Sequence, residues 1–291
     1  MKKIVILLLF FSTIISAQKK DFKYSLSGIQ KVVLTSDTTI RIEIGTTQEL
    51  IISEKSSNHT HKDEDCDSCD DDNHADHFPN SHSKSNSKDD KRKGLTAVYP
   101  GGKDDTNDYG LSISKEGTTL FVSDLKSYLH RRGMYIKLPK NINISVNGGN
   151  MGSIYMEGFT GEVEAETNVG SIQMKNVTGP ITANTSVGKI DIDFDKVSQK
   201  SPITISSSVS EIDIAIPANT NADLELKTQG TVYTNFDFKM PEKKGMPNVS
   251  GRKSIVSKLN NGGVKIYIKS SMGNIYLGKK QKIKQLQTNL H

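Results

Sequence analysis

Tryptophan is absent from this sequence of 291 residues, cysteine occurs twice, aromatic residues make up only 6%, and leucine is sparse beyond the first few positions. After Ile15 no apolar run approaches the roughly 20 residues that a membrane-spanning helix needs, which excludes a helical span in the rest of the chain. The common catalytic templates are missing as well. There is no glycine-rich phosphate loop ending in Lys-Ser or Lys-Thr, no His-Glu-x-x-His, and no serine in a strand-to-helix elbow. The glycines of "NGGNMGS" at Asn147 to Ser153 have no lysine and open no helix, so they read as a turn between strands. What remains plentiful is Gly, Ser, Thr, Asn and Ile, the material of strands and turns, in a chain long enough for one or two domains with a sizeable core.

The start, "MKKIVILLLFFSTIISAQ", joins Lys2 and Lys3 to an apolar run from Ile4 to Ile15 closed by Ser16 and Ala17. This is the pattern of a cleaved export signal over residues 1–17, and the run is short for a membrane anchor. No cysteine closes it, so nothing marks a lipid anchor. The mature chain is therefore expected outside the cytoplasm, in the periplasm, on the outer surface or secreted. Residues 18–55 alternate, as in "KVVLTSDTTIRIEIGTTQELIIS", and predict strands. Residues 56–93 are polar and dense in aspartate, cannot bury enough apolar surface to offset their ordering entropy, and predict a disordered insertion. Strands resume over 94–278, interrupted by a hinge-like "YPGGKDDTNDYG", and residues 279–291 form a basic polar tail.

Glycine recurs every nine residues at Gly152, Gly161, Gly170, Gly179 and Gly188, but alternate units end differently. Phe159 and Val177 sit eighth in their units, whereas Val169 and Val187 sit ninth, so the true period is eighteen. At that period Ile154, Ile172 and Ile190 fall in register, as do Met156, Met174 and Ile192, Val163 and Ile181, and Ala165 and Ala183. After a four-residue expansion around "DKVSQK" the series continues through Ile203, Ile205, Val209, Ile212 and Ile214. Alternation within each unit indicates strand with one face buried. The expected fold is all-β: a single-stranded β-solenoid, parallel β-helix-like, with about eighteen residues per coil and an irregular β cap on the N-terminal side. A meander or sandwich with hairpins at the glycines is the competing arrangement, and it gives no reason for whole columns to match at a fixed interval. The glycines, with Gly273 in a final coil, are expected at the corners, where a residue without a side chain turns tightly. Ser210 occupies the corresponding corner once. The segment from Ser254 to Lys280 is expected to cover the far end.

The phrase "LNNGGVKIYIKSSMGNIYLGK", with "NVGSIQM" and "SVGKIDI", resembles the signature of a bacterial family catalogued as putative adhesins, a domain of unknown function. The resemblance covers Tyr135 to Gly278 well and Tyr24 to Ser53 less well, and the acidic insertion departs from it. It implies an exported or membrane-associated β-solenoid chain, with a signal like those of Bacteroidetes-like bacteria, and brings no catalytic residues.

Glu162, Glu164 and Glu166 share one face of a strand, as do Asp191, Asp193 and Asp195, and Asp191 and Asp213 belong to one column of neighbouring coils. Paired carboxylates can hydrolyse glycosides or hold a divalent cation. They also make an ordinary solvated face, because alternation sends every second residue outward. In the insertion, Cys66 and Cys69 lie near His59, His61, His74 and His77. The Cys-x-x-Cys and His-x-x-His spacings could complete a tetrahedral zinc or copper(I) shell. A Cys66–Cys69 disulfide is the alternative in an exported chain.

The chain carries 38 Lys and Arg against 33 Asp and Glu, a formal net charge of +5, with the acids gathered in the insertion and the bases in short segments elsewhere. No continuous basic patch with interleaved aromatics points to nucleic acid. The sequence thus favours a non-enzymatic envelope or surface module that binds a glycan or another cell-envelope component through an extended face. A metal-binding envelope protein is the alternative, and a carbohydrate-active enzyme the second.

Overall fold

The computed structural model describes residues 21–53, 94–106, 109–126, 133–238 and 253–280. The expected signal at 1–17, the insertion at 56–93 with both cysteines and the four candidate histidines, and residues 281–291 of the expected tail lie outside the described residues. Every regular element among the described residues is a strand, and no helix there is long and apolar enough to cross a membrane.

Eight strands form the centre. They are β10 (Asn143–Asn147), β11 (Ile154–Glu157), β12 (Val163–Val169), β13 (Ile172–Val177), β14 (Ile181–Val187), β15 (Ile190–Phe194), β16 (Ile203–Ser207) and β17 (Ile212–Ile216). Successive strands alternate between two ten-stranded sheets, so each pairs in parallel with the strand two places on. In the first sheet Ile154, Ile172, Ile190 and Ile212 stand in one register column, and Met156, Met174, Ile192 and Ile214 in the next. In the second sheet Val163 pairs with Ile181, and Ala165 with Ala183 and then Ile205. The four-residue expansion leaves the ladder intact, since Ile190 meets Ile212 directly. These side chains are buried and belong to one core shared by both sheets.

The two corners differ in chemistry, which explains the alternating unit endings. One is closed by apolar side chains, with Leu138, Phe159, Val177, Phe194 and Ile216 all buried. The other is closed by hydroxyls. Thr167 donates to the Gly152 carbonyl at 2.7 Å and Thr185 to that of Gly170 at 3.1 Å, both side chains being buried.

Chain order and spatial order part company at both ends. Near the N-terminus, β2 (Lys31–Thr35) lies directly against β10, and β3 (Ile40–Ile44) against β11. Outside them come β8 (Thr119–Asp124) on β2 and β9 (Met134–Leu138) on β3. The strands of residues 31–44 therefore belong to the regular parallel ladders, and the irregular cap expected there is smaller. It consists of antiparallel edge strands: β4 (Glu49–Ser53) on β9, β1 (Phe22–Ser25) on β4, and β7 (Leu111–Glu116) on β8. A hairpin of β5 (Val98–Tyr99) and β6 (Gly102–Lys103) stands apart.

At the far end β21 (Val264–Ser270) and β22 (Ile275–Lys279) pair with β16 and β17. Their other neighbours, β18 (Ala222–Thr228) and β19 (Val232–Thr234), precede them in sequence and lie outside them in space. Among the described residues only β20 (Lys253–Leu259) covers an edge there, antiparallel to β18. The expectation that the whole phrase from Ser254 to Lys280 is a cover is thus corrected: its second half is an inner coil, because Ile266, Ile268, Ile275 and Leu277 continue the buried columns. Strand β22 also takes in Lys279, the first residue of the expected tail.

Within the stretch read as hinge-like, Asp104 ties Thr106 to Gly110. The Asp104 carboxylate accepts the Thr106 N–H at 2.8 Å and hydroxyl at 2.7 Å, and the Gly110 N–H at 3.0 Å. Burial alone would push its pKa up, but these bonds and the charge of Lys126 outweigh it and hold the group below its ordinary value.

Candidate functional site

The glycines singled out by their period sit where neighbouring coils touch. A Cβ on Gly179 would collide with the Gly161 carbonyl, one on Gly161 with that of Ile142, one on Gly170 with that of Gly152, and one on Gly188 with that of Gly170. Gly152 faces the Thr38 carbonyl and Gly273 that of Ser210 in the same way. Of the six only Gly188 has a positive φ, and at 159° it is nearly extended. Space for the carbonyl of the coil below, rather than a left-handed turn, is what requires glycine here. Ser210 fills its corner with a hydroxyl that accepts the Gly188 N–H at 3.1 Å.

Missed in the sequence was the hydroxyl three residues before four of the corners: Thr167 before Gly170, Thr185 before Gly188, Ser207 before Ser210 and Ser270 before Gly273. All four are buried, and Ser270 donates to the Ser210 carbonyl at 3.0 Å.

Three of the acidic candidates, Glu164, Asp193 and Asp213, are ion-paired on the surface. Asp191 and Asp213 are register partners on β15 and β17. Lys189 lies 3.9 Å from Asp213 and 3.7 Å from Glu211, and Lys280 lies 3.1 Å from Asp193. Partial burial, followed by the negative charge of Asp191, raises the pKa of Asp213. Glu164 bonds Lys31 at 2.7 Å, which holds its carboxyl below the usual value, and Glu162, Glu166 and Asp195 are exposed or half-exposed on the surface. No group of three or more His, Cys, Asp or Glu able to hold a metal ion occurs among the described residues. Cys66, Cys69, His59, His61, His74 and His77 lie outside them.

A concavity lies elsewhere, on the outer face of the first sheet across β3, β11 and β13. It has a volume of about 590 Å³ and is lined by Arg41, Glu43, Ile44, Tyr155, Glu157, Gly158, Gln173, Lys175 and Asn176. The alternation that buries Ile154 and Met156 turns Tyr155 and Glu157 outward between them. Register places Arg41 and Gln173 on either side of Tyr155, with the Arg41 guanidinium 4.2 Å from the tyrosine ring centre.

A register shift between Met174 and Val177 marks an irregularity in β13, where Asn176 takes a positive φ of 53°. Its side chain donates to Glu157 at 3.4 Å and accepts from Lys280 at 2.8 Å. Gly158, at φ 81°, leaves room for the half-exposed Ile44, whose Cδ1 a Cβ would meet. The result is an aromatic and aliphatic floor ringed by a guanidinium, two carboxylates, two amides and an ammonium. Arg41 and Lys175 balance Glu43 and Glu157 in formal charge.

No family model matches the chain, and no curated protein does. A crystal structure described as a putative cell adhesion protein from Clostridium sporogenes ATCC 15579 is similar over 90% of this chain and 99% of its own, at 13% sequence identity and a TM-score of 0.39. That is a distant resemblance covering most of the chain.

Proposed function

We propose that the protein is an exported, non-enzymatic surface module, wound as a β-solenoid of about eighteen residues per coil, that binds an uncharged glycan in the concavity around Tyr155. The observation that carries this reading is the grouping of Tyr155, Gln173, Asn176, Glu157 and Arg41 around one shallow hollow. A sugar offers an apolar C–H face and paired hydroxyls. The first suits an aromatic ring, and the second suit planar amides, carboxylates and guanidinium groups, which accept or donate two bonds in one plane. Balanced charge in the lining gives an anionic polymer no advantage. Export rests on the signal-like start of the sequence.

The test is a glycan array probed with the mature chain. Binding to neutral glycans should fall at least ten-fold in Tyr155→Ala and in Gln173→Ala, with unfolding temperatures unchanged because both side chains face outward. Binding that survives both substitutions places the ligand elsewhere. A second reading rests on the spacing of Cys66, Cys69, His74 and His77 alone: zinc or copper(I) captured under reducing conditions. Equal binding heats for the wild type and the Cys66→Ser, Cys69→Ser double variant would remove it.

A further inference from the structure

Each of five successive coils leaves one apolar side chain exposed at the hydroxyl-lined corner: Met151, Val169, Val187, Val209 and Met272. Their exposure runs from 43% at Val187 to 71% at Met151. Each stands immediately before the corner glycine or serine, and Val169 and Val187 are direct register partners. With parallel strands ~4.8 Å apart, the five form a ridge about 19 Å long.

The ridge has defined ends, since the same corner carries exposed Asp37 one coil before Met151 and exposed Gln229 one coil beyond Met272. Its flanks are small. The preceding residue is always asparagine or serine and the following one glycine or serine, so the Met and Val side chains project beyond their surroundings. A contiguous exposed apolar patch of this kind marks an interaction site.

We propose that this ridge is where two copies of the chain pair, antiparallel, about a two-fold axis through Val187. Two features select a second copy. The series Met–Val–Val–Val–Met is the same in either direction, so the axis sets Met151 against Met272, Val169 against Val209, and Val187 against itself, and every contact of the isologous pair joins side chains of like type and size. Lys189, two residues from the axis, is engaged within its own chain by Glu211 at 3.7 Å and Asp213 at 3.9 Å, so its charge is offset where the two copies approach. The apolar contact is below the roughly 1,200 Å² of total burial typical of stable complexes, so the dimer is expected to be weak and concentration-dependent. The proposal is independent of glycan binding, because the ridge shares no residue with the concavity.

Sedimentation velocity of the full mature chain, over a dilution series reaching several hundred micromolar, should show a reversible monomer–dimer equilibrium. Val187→Lys sets two ammonium groups against each other at the axis and should abolish the dimer while leaving the unfolding temperature unchanged. Val169→Lys and Val209→Glu should each weaken it at least ten-fold, and the double variant Val169→Lys, Val209→Glu should restore it, because antiparallel pairing sets lysine against glutamate. A wild type that stays monomeric throughout overturns the proposal, as does a dimer indifferent to Val187→Lys. A double variant no better than its parents overturns the antiparallel arrangement.

Discussion

Single residues here are constrained mainly by the coil above or below them. Gly179 and Gly278 make the sharpest contrast. A Cβ at Gly179 collides with backbone, whereas at Gly278, on the outer face of β22, it meets nothing within 4 Å. Gly179→Ala should therefore cost about 1–3 kcal/mol, as overpacking does, while Gly278→Ala should stay within about 0.5 kcal/mol. Urea denaturation of the two variants checks both.

Asp213 gives a prediction of opposite sign. Its folded pKa is raised by burial and by Asp191, so the folded state holds a proton that the unfolded chain releases near its ordinary 3.8. Its ionisation thus costs stability as pH rises past that value. Asp213→Asn should raise the unfolding temperature slightly at pH 7, and the gain should vanish below about pH 3.8. The effect is small because the side chain is 47% exposed and solvent screens it. Thermal melts at pH 3 and pH 7 separate the two regimes, and a destabilised variant at pH 7 contradicts the assignment.

Among the elements, the central strands were legible in the sequence because one constraint acts on every coil. Stacking like on like forces Ile154, Ile172, Ile190 and Ile212 into one column, and a repeat in residue type is the visible trace of that. Ile172, fully buried in the middle of the stack, should tolerate aspartate least. Ile172→Asp is expected to lose more than about 3 kcal/mol, measurable as loss of the cooperative unfolding transition at moderate denaturant. The hydroxyl ladder was not legible, because threonine and serine at alternating positions pass for solvent-facing residues unless the carbonyl they bond is known. The place of β21 and β22 was not legible. Forty-six residues separate Ile216 from Gly263, where the next coil begins, and β18 and β19 within that interval are coil-like in their own right. Period alone cannot tell which of two coil-like segments stacks first.

On the scale of the whole molecule, the same non-sequential stacking creates the candidate site. Arg41 and Tyr155 meet only because β3 packs on β11, with more than one hundred residues of chain between them, and no local pattern announces that contact. Sequence reading therefore fixed on acids whose column it could see, Asp191 and Asp213, and passed over the hollow three strands wide beside them. The insertion lies outside the described residues, and its sequence lacks apolar periodicity. Removing residues 56–92 should leave the unfolding temperature unchanged in metal-free buffer, since closing or opening a long surface connection alters chain entropy little. A large fall would make the segment part of the folded core.

The account stands most directly on whether ligand contacts gather on β3, β11 and β13. Amide chemical shifts of the isotope-labelled mature chain, followed while a neutral oligosaccharide selected on the array is added, measure this. The expected result is a saturable set of shifts confined to residues 41–44, 155–158 and 173–176, absent in Tyr155→Ala. Shifts centred on the second sheet, or along the Asp191 and Asp213 column with Tyr155 and its neighbours unmoved, would contradict it.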